Sequence, residues 1–204
     1  MQDDASPPLN PPQTAHRGRL FDGMARAVAL VGWADCTSAD IVREAGVSKR
    51  TFYEHFQTKN DCLVALYESA SRNALRHLES ALDPHRHWQD QVEGAMTAYL
   101  GVLAENPIML RALFIDILGL GAQGLAARRR VNQAVAAFLL GVVNPQRNES
   151  VLSPSMAMAV VGGINELVLQ LIEQDRIHEI HTITQTTSAL IRGVVGQVPG
   201  ATVD

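Results

Sequence analysis

The sequence predicts an all-α protein, and three observations carry that prediction. Apolar residues recur with a 3.6-residue period in segment after segment, helix-start signals precede those segments, and strand-like alternation is missing between them. The composition sets the frame. With 204 residues, 47% of them hydrophobic and 19% charged, the chain can bury a sizeable core without covalent staples. Two cysteines, Cys36 and Cys62, are too few for a disulfide scaffold and have no paired zinc spacing. The longest apolar run, Ala134–Val143, is about half of what a membrane-spanning helix needs. The N-terminal stretch has no apolar signal core. These features predict a soluble, cytoplasmic chain with no membrane association.

Residues 1–16 are polar and proline-rich, and are expected to form a disordered arm. Phe21, Met24, Val28 and Val31 then make one helical stripe, stopped at Gly32, with Trp33 able to fold back on the last turn. Thr37 to Asp40 fits the S/T-x-x-D/E capping pattern and opens a short helix through Ile41, Val42 and Ala45. Gly46 interrupts it. Ser48 caps another short helix running to Phe56, and Thr58 to Asp61 repeats the capping pattern before a long helix through Leu63, Leu66, Ala70 and Leu78. Asp83-Pro84 breaks the chain ahead of a helix from about Trp88 to Ala104. Asn106-Pro107 breaks it again, with Pro107 at a first helical position. Met109, Leu110, Leu113, Phe114 and Ile117 form the next stripe, Gly119 to Gly124 a turn, and Ala126 to Val143 another helix. After a polar loop from Asn144 to Leu152, Ser153-Pro154 starts a helix to about Gln174, and a last one spans Ile177 to Val195. The total is about nine helices.

The segment Ser38–Phe56 has the proportions of a helix-turn-helix. On a helical wheel with Phe52 at zero, Phe56 lies at about 40°, so both face a core while Arg50 and Glu54 point away. Ser48, Lys49 and Arg50 occupy the N-terminal end, whose free N–H groups and dipole favour phosphate oxygens. Tyr53, His55 and Lys59 add donors further along. The net charge of −4 argues against a wholly basic nucleic-acid coat, but a short reading head on a neutral body needs none.

The stretch TSADIVREAGVSKRTFYEHFQTKNDCL resembles the DNA-binding signature of the tetracycline-repressor (TetR) family. The matching elements are Thr37, Ile41, Ala45-Gly46-Val47-Ser48, Thr51-Phe52-Tyr53, His55-Phe56, Lys59 and Leu63. Phe21, Gly32 and Trp33 match that family's first helix and its exit. The likeness covers Arg19 to Leu63, and departs at Val42, where the family usually has Ala, and at Ala39, where some members carry a base-reading polar residue. It implies a helix-turn-helix head at 17–63 and a helical ligand-binding and dimerisation body at 64–204. It implies phosphate contacts from Thr37, Ser38, Tyr53 and Lys59, and places Lys49, Arg50, Thr51 and His55 at or near base edges. The function implied is sequence-specific transcriptional control by a ligand-released repressor, with neither enzymatic activity nor a cofactor. Two heads of a homodimer would read a pseudo-palindromic operator in double-stranded DNA. An effector favouring the other conformation would tilt the helix beginning near Thr58 and respace the heads.

Six of the ten aromatic residues precede residue 68, which leaves the body an aliphatic core. Met96, Tyr99, Leu100, Leu103, Leu113, Phe114, Ile117, Phe138 and Leu139 are candidate pocket positions, with Asp116 flanking them, and the implied effector is small and largely apolar. For the dimer contact, Gly162, Leu167 and Leu171 on one helix pair with Ile183, Thr187, Leu190 and Val194 on the next. Gly119-Leu-Gly121-Ala-Gln-Gly124 spells G-x-G-x-x-G, so an all-α enzyme or nucleotide-binding protein using this turn is the competing class, although a dinucleotide site needs a strand before it. The run before it has helical period, so it reads as a helix–helix turn. A helical adaptor with a vestigial DNA head is the third class. His85-x-His87 and His178-x-x-His181 lack the Cys or carboxylate partners of a metal site, so no metal is expected.

Overall fold

A computed structural model describes residues 11–83, 85–144 and 152–196. Among these are nine α-helices and no strand. The chain divides into two compact units, residues 1–66 and 67–204.

In the first unit, α1 (Pro11–Asp35) begins earlier than the sequence suggests, so residues 11–16 are helical, while 1–10 lie outside the described residues. Its buried stripe is Leu20, Met24, Ala27 and Val28. Phe21 is only half-buried and Val31 is 42% exposed, so the expected stripe is displaced by one residue at its start and ends before Val31. Gly32 breaks the helix with φ 77° and ψ 163°, a conformation only glycine adopts without strain. Gly23 serves a different purpose: a Cβ there would come within 2.6–2.8 Å of Ala45, so its absence lets α1 lie directly on the next helix.

That helix, α2 (Ser38–Ala45), opens with a reciprocal capping box. The Thr37 N–H donates to Asp40 Oδ2 at 2.9 Å, and the Asp40 N–H donates back to Thr37 Oγ1 at 3.3 Å. Gly46 ends it in the left-handed region (φ 62°, ψ 38°). Ser48 Oγ accepts the Thr51 N–H at 3.0 Å to open α3 (Lys49–His55), and Phe56 leaves it in extended conformation. Thr58 and Asp61 form the third box, with Thr58 N–H to Asp61 Oδ2 at 2.9 Å and Asp61 N–H to Thr58 Oγ1 at 3.1 Å. They start α4 (Lys59–Ser80), which runs from the first unit into the second.

The second unit contains α5 (Trp88–Ala104), α6 (Pro107–Arg111), α7 (Ala122–Val143), α8 (Pro154–Glu173) and α9 (Thr184–Gly196). Between α6 and α7 the chain widens into a π turn at Ala112–Asp116 and tightens into a 3₁₀ turn at Leu118–Leu120. The last segment, expected as one helix from Ile177, instead starts as a 3₁₀ stretch, Ile177–Ile183. Asn106 and Ser153 cap α6 and α8 through their side-chain oxygens, each followed by proline in the first turn. The core joins Val92, Met96 and Leu100 of α5 to Val143 of α7 and to Val160 and Val168 of α8. By length and composition α8 could cross a membrane, but its apolar side, including Val160, Val161, Ile164 and Val168, is buried in this core.

The three glycines of the G-x-G-x-x-G run lie in a helical connection, with no strand before them. Gly121 takes φ 62° and ψ −133°, and Gly124 lies so close to the preceding turn that a Cβ would fall on the Ile117 carbonyl oxygen. Two of the three are thus accounted for by backbone geometry. Gly124→Ala should force α7 away from that turn and cost on the order of 1–3 kcal/mol. A urea titration followed by circular dichroism should show a lowered midpoint, whereas an unchanged midpoint would mean the turn yields freely.

Candidate functional site

The candidate nucleic-acid interface is the exposed side of α2 and α3. Phe52 is fully buried and Phe56 nearly so, which leaves the rest of α3 facing outward. Lys49 and Arg50 stand exposed in its first turn. Arg50 Nε meets Glu54 Oε1 at 2.9 Å, an open i,i+4 pair whose stabilisation is small and easily exchanged for a phosphate or a base. Thr51 Oγ1 shares a hydrogen bond of 2.9 Å with Ser48 Oγ, so its hydroxyl partly serves the cap. Tyr53 is 58% exposed, and its hydroxyl lies 3.4 Å from Ser38 Oγ. Thr37, Ser38, Tyr53 and Lys59 all border one surface groove of about 330 Å³. His55 is set apart from this group. It is half-buried beside Phe56, with its ring centre 6.3 Å from that of His16, and burial followed by the nearby His16 and Arg17 charges lowers its pKa.

The second unit holds two adjoining cavities. One, of about 70 Å³, is walled by Met96, Tyr99, Phe138 and Leu139 together with Val160 and Ile164. The other, of about 200 Å³, is walled by Tyr99, Leu103, Leu113 and Phe114 together with Tyr67 and Met109. Seven of the ten expected pocket residues therefore line a cavity. Leu100 and Ile117 are each 1% exposed and fill the core instead, and Asp116 lines neither cavity. Partial burial raises the Asp116 pKa, opposed by Arg111. Sequence reasoning missed Tyr67, Asn132 and Asn165, because single polar residues in an aliphatic stripe look like its wet edge.

Residues 20–66 match the family described as bacterial regulatory proteins, tetR family. Over these residues the head is similar to that family, a match that supports a DNA-binding regulator. An uncharacterized HTH-type transcriptional regulator, YxbF of Bacillus subtilis (strain 168), is 27% identical over 77 residues, which are 38% of this chain and 20% of that protein's length. The nucleoid occlusion factor SlmA of Marinomonas sp. (strain MWYL1) is 24% identical over 144 residues, covering 70% of this chain and 73% of SlmA. Among solved structures, the transcriptional regulator FadR from Bacillus subtilis in complex with stearoyl-CoA shares the fold, with a TM-score of 0.72. It is 15% identical and covers 86% of this chain and 98% of its own.

In this TetR-like head, Lys59 has a task that its place in the signature does not reveal. Its ammonium donates to the Trp33, Ala34 and Cys36 carbonyl oxygens at 3.1, 3.4 and 2.7 Å, and sits 4.5 Å from the Trp33 ring centre. Three donors meet three acceptors, so the lysine closes the exposed end of α1 and has no donor left over for a phosphate. Lys59→Met keeps the stem and removes the charge. Unfolding free energy should fall by about 2 kcal/mol, while the slope of log affinity for DNA against log salt stays unchanged. A slope reduced by about one per head would instead make Lys59 a phosphate contact.

The two cysteines of the head are buried. Burial raises the Cys36 pKa and pushes that of Cys62 up to about 12. Since the thiolate is the reactive form, both should remain thiols at neutral pH. A chromogenic disulfide reagent at pH 7.5 should therefore label neither in the folded protein and both in guanidinium. Rapid labelling of the folded protein would point to a redox role.

Proposed function

We propose that the protein is a homodimeric repressor, cytoplasmic and bacterial, released from a pseudo-palindromic operator by a small effector. The observation that carries this reading is the exposed, firmly capped α3, with Lys49 and Arg50 at its start and Tyr53 beside Ser38 on the neighbouring helix. Thr37, Ser38 and Tyr53 bind phosphates and set the register; Lys49, Arg50 and Thr51 reach base edges in the major groove. His55, half-buried, and Lys59, fully engaged, hold the reading helix rather than read.

Two copies would meet through the last two helices. Leu171 and Thr187, expected there, are turned into their own chain: they are 6% and 0% exposed, and Thr187 Oγ1 donates to the Ile183 and Thr184 carbonyls at 3.0 Å each. Gly162 is exposed, while Leu167, Ile183, Leu190 and Val194 are half-buried and stay available for the contact. The cavities supply a place for an effector, and the like-folded FadR with stearoyl-CoA supports a small-molecule ligand without identifying it. Because α4 contributes Tyr67, Ala70 and Ala74 to the larger cavity and begins at Lys59, an effector that displaces it would act on the end of α1 that Lys59 closes.

Fluorescence anisotropy of the full chain on DNA flanking its own gene, across a salt series, tests this reading. One palindromic site should bind tightly and salt-sensitively. Tyr53→Phe should weaken it roughly tenfold to a hundredfold, a loss of one hydrogen bond per head and so two in the dimer, and Lys49→Ala should lower the salt slope by about one per head if Lys49 also neutralises a phosphate. No site-specific binding at any salt would sink the proposal.

A further inference from the structure

The two cavities of the second unit share three wall residues, Tyr99, Val135 and Asn165, so they meet at a common waist. The waist is polar, whereas the smaller chamber beyond it is almost wholly aliphatic and aromatic. Asn165 Nδ2 donates to Asn132 Oδ1 at 3.0 Å, and Asn132 lines the larger chamber. Whichever way the two amides are turned, one such bond leaves the pair with a free NH₂ group and a free carbonyl oxygen. Tyr99 is half-buried and lines both cavities, its hydroxyl has no hydrogen-bond partner among the described residues, and burial pushes its pKa up to about 12. Native interiors pair such groups, so an unpaired phenol and two half-used amides at one waist mark the place of a ligand's polar group.

Charge narrows the ligand further. Among the described residues no lysine, arginine or histidine lines either chamber, and the single carboxylate in the walls is Glu105, which is exposed. An anionic group would lose its hydration and find no cation, and a cation would find no buried partner. Size sets the rest. A dry cavity of about 150 Å³ accepts benzene, so the larger chamber, at about 200 Å³, is ring-sized, while the smaller, at about 70 Å³, has room for a short alkyl arm. The π turn at Ala112–Asp116 supplies Leu113 and Phe114 to the ring-sized chamber, a local widening typical of functional walls.

The geometry points to an uncharged effector with a central hydrogen-bonding group, such as a carboxamide, seated on Tyr99, Asn132 and Asn165, a ring in the larger chamber and a short alkyl arm in the smaller. This rests on the reading of the second unit as the effector domain.

The test is calorimetric titration of the full chain with N-propylbenzamide, propyl benzoate and 4-phenylbutanoate. The amide should bind best, the ester about threefold to tenfold more weakly because it only accepts, and the anion weakest. Tyr99→Phe, which removes an oxygen unpaired in the empty protein, should leave the melting temperature unchanged or raised yet weaken amide binding about fivefold to tenfold. Asn165→Ala should abolish the preference for amide over ester. Binding of the anion as tight as the amide, undiminished binding by Tyr99→Phe, or no binding of any probe at millimolar concentration would overturn the inference. Repeating the DNA titration with bound amide separates the two readings: amide binding with unaltered DNA affinity upholds the site and refutes effector release.

Discussion

A seven-residue helix has no stability of its own, and the reading head depends on that constraint. Two turns cannot repay nucleation through their own hydrogen bonds, so α3 exists because neighbouring groups hold it from every side. Phe52 and Phe56 pin it from below, packed 5.9 Å apart and continued by Phe21 at 6.0 Å from Phe56. Ser48 holds its start, and Gly46 gives the turn before it the backbone freedom that other residues lack. Each device removes one way for the helix to rotate or fray. What remains is a short rod whose outward residues keep fixed directions, as base readout requires.

The end of α1 meets the same demand with a charge instead of a cap. A helix that stops at a glycine leaves carbonyl oxygens without partners, and one ammonium group answers three of them at once. The neighbouring Trp33 ring adds its face to the same cation. Lys59 was readable as important from the TetR-like signature, but its direction was not: a lysine next to a helix cap can reach outward to a phosphate or back to a carbonyl. Only the position of the α1 terminus, some 25 residues earlier in the chain, decides between them.

The difference between what the sequence disclosed and what it hid follows from the range of each interaction. The caps at Thr37 and Thr58 act over three residues and were legible with their partners Asp40 and Asp61; Ser48 was legible as a cap, and Asn106 and Ser153 only as a break and a start beside proline. The stop at Gly32 and the non-dinucleotide character of the glycine run were legible for the same reason. Interactions between elements were not. The close approach at Gly23 depends on Ala45, Thr187 is buried against its own chain with its hydroxyl on the Ile183 and Thr184 carbonyls, and the Asn132–Asn165 bond joins residues 33 apart. Helical periodicity says that a face is buried; it does not say against what, or whether a gap remains there.

On the proposed reading, that gap is what separates a regulatory body from an ordinary helical bundle. Bundles of aliphatic side chains close well when apolar residues repeat regularly, and this chain interrupts the repeat with Asn132 and Asn165 on adjoining helices and Tyr99 opposite. Polar groups so placed cannot be satisfied by each other alone, and they hold the waist open at a cost in stability to the empty protein. A molecule that completes their hydrogen bonds recovers that cost only in the conformation where the three groups converge. Any such molecule therefore selects that conformation, and the strength of selection is set by how poorly the empty waist is satisfied. An unfinished hydrogen-bond network is thereby enough to make a fold responsive, with no moving part beyond the helices that line it.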